Sequence, residues 1–404
     1  MMEKNKRYVT VLFTFLVALV VSCKPNEKHI QLINTLDFKR TDAPVVLKRN
    51  DIGDIIYPLV RNEKGEAIPY QLDDLDNDGE WDELFLLIDM DANDTLELSI
   101  VASEEIMKFE PRVHIQFAAK DGIEFNADTV KRLSTGDTQI TSQHFQMEGP
   151  AWENENVGFR NYYDARNGMD IFGKQVSDIV LKNAGVKGQN YHAIDDWGMD
   201  ILKVGNSLGA GAIALSKDDT IYRWDGTGDA GYELLYDGPL RSSFELFFKD
   251  WKVDDVTIDL KHQITIHAGT NYYHSMVKLS DYESQIQLVT GIVNLHSDTL
   301  YLSNSDGFVT MYTHDRQAEN QSYLGMGILA ADSVFSASGE APQEGGPVTT
   351  TYLGTLKFRF DNTADFYYYA GWQNQDSRFE NREFFNSSIE KAIKELSHPI
   401  IVKY

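Results

Sequence analysis

The stretch that decides the fold is V-T-I-D-L-K-H-Q-I-T-I, at residues 256–266. Every second residue from Val256 to Leu260 is apolar, and Ile264 and Ile266 continue that period of two, which is typical of a half-buried β-strand. Strands and helical segments do not alternate along the chain, which argues against a parallel α/β sheet. Further short apolar runs, separated by polar turns, lie at 45–47, 55–57, 84–88, 276–279, 286–293, 308–312 and 356–360.

A helical period occurs near the C-terminus. The apolar residues that share one helix face are Phe385, Ile389, Ala392, Ile393 and Leu396. Pro399 follows them at the predicted stop. We therefore predict an all-β fold, an antiparallel β-sandwich with a C-terminal helix. A small N-terminal β domain is predicted for residues 23–110, and a large sandwich domain that carries the catalytic residues for 111–404.

Composition narrows the class of protein. The chain has 404 residues, of which 42% are hydrophobic, and it carries 37 Lys and Arg against 62 Asp and Glu, a net charge of −25. The apolar fraction excludes a disordered chain, and the acidity argues against nucleic acid as a partner. A single Cys rules out an internal disulfide and a multi-Cys metal site.

The N-terminus has the features of an export signal. Lys4, Lys6 and Arg7 precede an apolar run from residue 9 to residue 21, which is shorter than the roughly 20 residues of a membrane span. A small residue and then Cys23 follow, as in the lipobox of bacterial lipoproteins. We predict a signal peptide at 1–22, lipidation of Cys23, and anchoring to the outer membrane or the cell surface.

An acidic loop at residues 74–83 predicts a calcium site. Between residues 71 and 97 there are eleven acidic residues and no Lys or Arg. Hard oxygen ligands at alternating positions around a glycine turn suit Ca²⁺, although Phe85 occupies the place where an EF-hand has its closing Glu. A solvated acidic turn is the alternative. The predicted ligands of a structural Ca²⁺ ion are Asp74, Asp76, Asp78, Glu80 and Asp82.

Residues 148–211 combine aromatic, cationic and amide side chains beyond what a β scaffold needs, and the segments 238–243 and 271–274 add more. Aromatic faces beside charged hydrogen-bonding groups suit a sugar, which has an apolar face and a polar rim. These side chains can equally pack in the core or pair at the surface. The residues predicted to bind substrate are Arg160, Arg166, Trp152, Trp197 and Lys203.

Three types of reaction are considered for the residues of these segments. G-N-S-L-G at 205–209 matches the nucleophile elbow of esterases, which requires a parallel sheet. A glycoside hydrolase requires two carboxylates at a defined separation. A lyase acting on a uronic acid requires a base for the proton beside the carboxylate, an acid for the departing oxygen, and cations, which Tyr, His and Arg supply. The carboxylates considered for a hydrolase are Glu153, Asp164, Asp196 and Asp200.

Four strings also resemble a family of secreted bacterial polysaccharide-utilisation lipoproteins, formerly labelled a domain of unknown function. They are G-P-A-W-E-N-E-N-V-G-F-R-N-Y-Y-D at 149–164, Y-H-A-I-D-D-W-G-M-D at 191–200, G-P-L-R-S-S-F-E-L at 238–246 and Q-L-D-D-L-D-N-D-G-E-W-D-E-L at 71–84. This family resembles ulvan lyases. The resemblance implies a β-sandwich of the large supersandwich type and cleavage of an anionic, uronic-acid-containing polysaccharide.

The residue roles in such a lyase are assigned from chemistry. Proton transfer is expected from His192 with Tyr273 or His274, and Tyr163 is a second candidate acid. Arg241 and Arg160 are expected to neutralise the carboxylate or sulfate of the polymer. A non-catalytic glycan-binding lipoprotein and a glycoside hydrolase stay open as alternatives.

Overall fold

The computed structural model describes residues 27–53, 55–123, 130–281 and 285–404. The predicted signal peptide at 1–22 and the predicted lipidation site Cys23 lie outside the described residues. Among the residues that the structure describes, none of the helices combines the length and the apolar character that crossing a bilayer requires.

The strands follow one another with short connections, as in an antiparallel β protein. In the first quarter of the chain they are β1 (Glu27–Ile33), β2 (Arg40–Lys48), β3 (Pro58–Asn62), β4 (Tyr70–Asp73), β5 (Glu83–Met90) and β6 (Thr95–Ala102). The next are β7 (Val113–Gln116), β8 (Val130–Lys131), β9 (Ala151–Asn154), β10 (Val157–Asn161), β11 (Met169–Lys174), β12 (Gly198–Asp200), β13 (Ala214–Lys217) and β14 (Thr220–Tyr222).

The second half of the chain holds the long strands and the C-terminal helix. Its strands are β15 (Ala230–Asp237), β16 (Arg241–Val253), β17 (Val256–His267), β18 (Tyr272–Leu279), β19 (Gln287–Val293), β20 (Tyr301–Ser305), β21 (Phe308–Asp315), β22 (Leu324–Ala331), β23 (Phe335–Glu340), β24 (Thr351–Lys357), β25 (Thr363–Trp372) and β26 (Ile401–Lys403). The α-helices are α1 (Arg49–Ile52), α2 (Thr138–His144) and α3 (Arg382–Ser397). Single 3₁₀ turns cover Lys120–Gly122, Gln146–Glu148, Leu181–Asn183, Val186–Gly188 and Ser377–Glu380.

Five antiparallel sheets result. Sheet A has the order β26-β1-β6-β3 and sheet B the order β2-β5-β4. Sheet C is β12-β11-β10-β9-β7, sheet D is β14-β13-β19-β24-β23, and sheet E is β20-β21-β22-β25-β18-β17-β16-β15-β8. The predicted all-β antiparallel fold is therefore confirmed. The strand predicted at 55–57 is wrong, because the chain turns there and β3 begins at Pro58.

Sheets A and B share a hydrophobic core of their own. Alternate side chains of β1, β2, β5 and β6 are buried in it, including Leu32, Val45, Leu86 and Ile100. Ile400 joins this core, and β26 pairs with β1, so the C-terminal end of the chain returns to the N-terminal strands. The division of the chain into domains at residue 110 stays a prediction.

Sheets C and D form one layer of the sandwich, and sheet E forms the other. Backbone bridges at Gly209 and Ala210 connect β11 of sheet C with β19 of sheet D. Between the layers, the rings of Trp152 and Phe159 in sheet C pack edge-on against Tyr273 in sheet E, at centroid distances of 5.3 and 4.8 Å. Side chains that alternate with these residues point to the outer faces of the two layers.

Helix α3 covers one end of the outer face of sheet E. Phe385 and Ile389 are buried in a cluster with the sheet residues Tyr312 and Tyr369, as the apolar stripe predicted. Asn381 caps the helix by accepting a hydrogen bond from the backbone N–H of Phe384 at 2.9 Å.

Polar contacts attach sheet B to sheet E. Arg241, at the start of β16, donates to Asp73 at 2.6 Å and to Glu83 at 2.7 Å, and its guanidinium lies 4.7 Å from the ring centroid of Phe85. The Gln71 side chain donates to the carbonyl oxygen of Arg241 at 2.8 Å. Asp73 is 2% exposed, so its charge depends on Arg241 rather than on water.

We expect Arg241→Met to lower the free energy of unfolding by about 3–5 kcal/mol, because the substitution leaves Asp73 buried without its cation. The matched control is Lys249→Met, which removes an exposed pair with Asp259 and should cost less than about 1 kcal/mol. Urea unfolding of the two variants measures the difference. Equal losses would contradict the proposed contribution of the buried pair.

Candidate functional site

The site is built on the outer face of sheet C. In the β10–β11 hairpin, Arg160 lies directly opposite Asp170, and the neighbouring pair is Phe159 opposite Ile171. Because Phe159 points into the core between the layers, the alternation of the strand directs Arg160 and Asp170 to the other face. Strand β12 adds Asp200 beside β11.

Arg160 is fully buried and surrounded by acceptors. Its guanidinium donates to a carboxylate oxygen of Asp170, to Asp200 at 2.9 Å and to the Tyr162 hydroxyl at 2.8 Å. A further N–H donates to the carbonyl oxygen of Met147 at 3.0 Å. Burial alone would lower the pKa of Arg160, but the surrounding phenol and carboxylates raise it well above its usual range. The guanidinium therefore stays charged inside the protein.

The two carboxylates beside Arg160 influence each other. Asp170 is 0% exposed, and Tyr162 donates a second hydrogen bond to it at 2.8 Å. Burial raises the pKa of Asp170 above the usual range of a carboxyl group, and the adjacent charge of Asp200 raises it further, against the opposing effect of Arg160. The site thus concentrates negative charge next to one buried cation.

His192 is the exposed member of this group. Its side chain is 61% exposed, and its Nδ1 lies 3.1 Å from the Asp200 Oδ2 atom that also accepts from Arg160. No described residue hydrogen-bonds to its Nε2. The contact with Asp200 raises the pKa of His192 above its ordinary value of 6.5. A carboxylate at Nδ1 also favours the tautomer whose Nε2 lone pair faces solvent.

Tyr191 completes the solvent-facing part of the site. Its ring centroid lies 4.3 Å from that of His192, and its hydroxyl lies 3.4 Å from a nitrogen of Arg160, which donates to it. Burial raises the pKa of Tyr191, so the phenol keeps its proton at neutral pH. An imidazole and a protonated phenol thus stand side by side at the edge of the buried charges.

The backbone around the site is constrained. Met147 and Glu148 have φ values of 51° and 66°, a region that non-glycine residues enter at a cost of about 1–3 kcal/mol each. This conformation turns the Met147 carbonyl oxygen toward Arg160. A Cβ atom at Gly198 would lie 1.8 Å from the carbonyl oxygen of Gly173, so only glycine lets the His192 loop enter β12 at this position.

Arg166 extends the cationic character toward the surface. The Tyr162 ring lies between two guanidinium groups, at 4.5 Å from Arg160 and 4.3 Å from Arg166. Arg166 is 17% exposed and pairs with the buried Asp164 at 2.6 Å. Lys203 is exposed shortly after Asp200 in the chain. Of the three cations predicted to bind substrate, these two are the ones that solvent reaches.

The structure brings some predicted site residues together. His192 and Arg160 share Asp200, and Trp197 packs beside the site against Phe172, whose ring lies 5.2 Å from the Arg160 guanidinium. Arg160 was predicted to bind the polymer directly. That role is corrected, because the Arg160 side chain is 0% exposed and both of its terminal nitrogens donate to groups of the protein.

Three further predictions are corrected by burial. Trp152, Tyr163 and Tyr273 are each 0% exposed, so none of them contacts a polymer in this conformation. The Tyr273 hydroxyl donates to the carbonyl oxygen of Ala210 at 2.7 Å, and the Tyr163 hydroxyl donates to that of Val130. These aromatic residues pack in the core between the layers, which was the alternative reading of their pattern.

Two predicted catalytic residues lie elsewhere. Arg241 joins sheet B to sheet E. The prediction that it neutralises the substrate is corrected, because its charge is already paired with Asp73 and Glu83. His274 stands on the outer face of sheet E, where its Nε2 lies 3.1 Å from Asp365 and its ring stacks on Tyr367 at 4.6 Å. His192 and His274 therefore belong to opposite layers and do not form one catalytic pair.

The esterase and hydrolase alternatives lose support from the geometry. Ser207 of the G-N-S-L-G segment is 0% exposed, and its hydroxyl donates to the carbonyl oxygen of Val204 at 2.6 Å. Glu153 is buried against Lys174 at 2.6 Å, and Asp164 is buried against Arg166. Of the four carboxylates considered for a hydrolase, only Asp196 is exposed.

In the acidic loop, three of the five predicted ligands converge. Carboxylate oxygens of Asp74, Asp76 and Asp78 lie within 4.8 Å of one another. Glu80 instead pairs with Arg49 at 2.6 Å, and Asp82 accepts a hydrogen bond from the backbone N–H of Leu75 at 2.7 Å. The converging donors are hard oxygens, the ligand type that Ca²⁺ prefers.

Sequence reasoning missed several members of the His192 group. Asp200 was considered only as a hydrolase carboxylate, and nothing distinguished Glu148 from the other acids of residues 148–211. Tyr162 and Tyr191 were not predicted either, although each stands next to a predicted catalytic residue, Tyr163 and His192 respectively. Asp170 had no motif at all, and the strand alternation in M-D-I-F-G-K at 169–174 was the one pattern that could place it opposite Arg160.

The fold and this group of residues define a β-sandwich protein with a solvent-facing histidine held by buried carboxylates and an arginine. Residues 32–402 match the family described as Domain of unknown function (DUF4861), and the chain belongs to that family. It is also similar to a protein of Formosa agariphila named "Uncharacterized protein P7", with 22% identity over 432 aligned positions that cover 98% of this chain and 99% of that protein.

Solved structures are similar in fold. A protein of glycosyl hydrolase family 38 from Enterococcus faecalis superimposes with a TM-score of 0.51 at 8% identity, covering 94% of this chain and 47% of that one. An alpha-mannosidase from Enterococcus faecalis V583 gives a TM-score of 0.47 at 9% identity, with 94% and 46% covered. This chain spans about half the length of those proteins. The first likeness shows the fold alone.

We predict that Asp200→Asn lowers the pKa of His192 toward or below 6.5, because the substitution removes the charge that stabilises the imidazolium. In the wild type, the raised pKa stabilises the folded state at acidic pH, and this contribution is lost as pH rises through the raised value. NMR titration of the imidazole measures both proteins. Asp196→Asn, an exposed neighbour, is the control, and an unchanged pKa in Asp200→Asn would contradict the coupling.

Proposed function

We propose that this protein is a lipid-anchored polysaccharide lyase that cleaves an anionic, uronic-acid-containing polymer by β-elimination. The observation that carries the proposal is the pair of His192 and Tyr191, an exposed base with a half-buried acid beside it. Support for ulvan as the polymer comes from the likeness between ulvan lyases and the family that the four strings resemble. The anchor at Cys23 is proposed from the lipobox-like sequence.

In the proposed reaction, His192 Nε2 removes the proton at C5 of the uronic acid. The electron pair of that C–H bond forms the C4–C5 double bond, and the C4–O bond to the departing sugar breaks. Tyr191 donates its proton to the departing oxygen, so the two proton transfers balance. General acid and base catalysis of this kind contributes about 10²–10⁴-fold each.

The carboxylate of the uronic acid must be neutralised while the C5 proton leaves, because negative charge develops on it. Lys203 is the main proposed cation, since it is exposed shortly after Asp200 in the chain and forms no salt bridge with any described residue; Arg166 offers only the terminal nitrogen that Asp164 leaves free. Arg160 serves instead as a positioning residue. Its charge holds Asp200, and Asp200 in turn orients His192. A local cationic region is also what an anionic polymer needs on a protein with a net charge of −25.

A lyase fits this arrangement better than a glycoside hydrolase does. A hydrolase requires two accessible carboxylates about 5–10 Å apart on either side of the bond that is cleaved. Asp170 and Asp200 are 0% and 4% exposed, and both are paired with Arg160. A base and an acid other than carboxylates, by contrast, stand side by side: His192 is exposed and Tyr191 is half-buried beside it.

The test mixes the mature protein with ulvan and follows the ultraviolet absorbance of the conjugated double bond at the new uronyl end. We expect the absorbance to rise with the wild type and to stop rising with His192→Ala. Tyr191→Phe should slow the reaction about 10²–10⁴-fold. The control is His296→Ala, an exposed histidine away from the site, which should keep the wild-type rate.

Each outcome of this test separates the candidate functions. New reducing ends without the double bond would indicate a hydrolase and contradict the lyase. Retention of the polymer on an affinity gel with no product from the wild type would indicate a glycan-binding lipoprotein. A wild-type rate in His192→Ala would contradict the assignment of the base.

We also propose that the acidic loop binds a structural Ca²⁺ ion through Asp74, Asp76 and Asp78. A bound ion offsets the repulsion among carboxylates that lie this close together, which supports the proposal. The ion has no part in the proposed reaction.

We therefore expect added Ca²⁺ to raise the melting temperature and a chelator to lower it, since a ligand that binds the folded state stabilises it. Asp76→Asn should reduce the shift, whereas Glu104→Gln, which changes an exposed acid outside the loop, should preserve it. Thermal unfolding with and without chelator measures the effect. A melting temperature that is insensitive to Ca²⁺ would show that the loop is a solvated turn.

A further inference from the structure

A polar cavity lies beneath α3. Its volume is about 490 Å³, and it opens between α3 and the loop that precedes β18. We name it the helix cavity and define it by Asn271, Tyr272, Tyr369, Gln375, Lys391 and Glu395. It shares no lining residue with the His192 group.

The floor of the helix cavity is aromatic. Tyr272 and Tyr369 lie directly opposite each other on β18 and β25, with ring centroids 6.2 Å apart and ring planes inclined by 35°. The two rings are 7% and 6% exposed, so their edges are fixed by packing while part of each borders the cavity. A floor of this kind offers an apolar surface to the C–H groups of a ring-shaped ligand.

Amide groups at the side of the cavity keep hydrogen-bonding capacity free. The Asn271 amide donates to the carbonyl oxygen of Ala370 and to Gln375 Oε1, both at 3.1 Å. This contact fixes the Gln375 side chain with its oxygen toward Asn271. Among the described residues, no acceptor hydrogen-bonds to the NH₂ group of Gln375, which is therefore a donor available to a ligand.

The opposite side of the cavity carries a carboxylate with an unmet hydrogen bond. Glu395 Oε1 is buried and has no hydrogen-bond partner among the described residues, and Lys391 Nζ lies 3.8 Å from it. Burial raises the pKa of Glu395 above its usual value. A buried acceptor without a partner is costly, about 1–3 kcal/mol, and a hydroxyl group of a ligand would satisfy it.

We propose that the helix cavity binds one neutral saccharide residue. Its volume is within the roughly 300–1,000 Å³ of small-molecule sites, and an aromatic floor with donors on one side and acceptors on the other matches a ring with an apolar face and hydroxyl edges. That the cavity holds part of the polymer during cleavage rests on the proposed lyase function, whereas saccharide binding itself does not.

The charges of the cavity favour a neutral sugar over an acidic one. Arg378 at its mouth is committed to Asp376 by contacts of 3.0 and 2.6 Å, so it is not a free anion-binding group. Lys391 faces Glu395, whose negative charge would repel a carboxylate or a sulfate group. A neutral hydroxyl group, by contrast, can hydrogen-bond to both Lys391 and Glu395.

The test titrates rhamnose, xylose, mannose and glucuronic acid into the full-length His192→Ala protein and follows binding by calorimetry. We expect a neutral sugar to bind and glucuronic acid to bind at least tenfold more weakly. Ser387→Trp places a large ring in the cavity from an exposed position of α3 and should abolish the binding. Glu390→Trp adds the same ring to an exposed position of α3 outside the cavity and should leave the binding intact.

The outcomes distinguish this inference from the proposed function. Neutral-sugar binding that Ser387→Trp removes supports the helix cavity even where the wild type shows no elimination. No binding of any neutral sugar, or equal binding in Ser387→Trp, overturns it whatever the lyase assay shows. If both proposals hold, Ser387→Trp on a wild-type background raises KM for the polymer with kcat unchanged.

Discussion

The buried guanidinium of Arg160 is the constraint on which the site depends. A charge without water must be met by hydrogen-bond acceptors, and these come from β11, β12, the residue that follows β10, and the turn that contains Met147. One side chain thereby ties together segments that are separate in sequence. The strained backbone at Met147 persists because the buried charge requires its carbonyl oxygen at that place.

One oxygen atom links the buried guanidinium of Arg160 to the protein surface. Asp200 Oδ2 accepts from Arg160 at 2.9 Å and lies 3.1 Å from His192 Nδ1, so the buried cation and the exposed imidazole compete for the same charge. The imidazole keeps a raised pKa despite the nearby guanidinium, which opposes it. The environment of His192 is therefore set by the nearly buried carboxylate of Asp200 and the fully buried guanidinium of Arg160.

The sequence correctly predicted the all-β class of the fold. It identified only some of the residues that form the site. Period-two alternation identified β17, and the apolar stripe identified α3, because each pattern is local. Alternation also sends Trp152 and Tyr273 inward and Arg160 and His274 outward, but only the pairing of distant strands decides which face is covered. Asp170 became part of the site through its register with Arg160, which no single segment encodes.

The arrangement of the two layers also distinguishes His192 from His274, which the sequence alone does not separate. His274 stands within β18, where it pairs with Asp365 and stacks on Tyr367, both of the neighbouring strand β25. His192 stands on a loop that a glycine-dependent entry into β12 holds against buried charges. Loops on a rigid scaffold can surround a substrate, whereas a strand centre cannot. The proposed reaction therefore belongs to the outer face of sheet C, and the proposed saccharide binding to the outer face of sheet E.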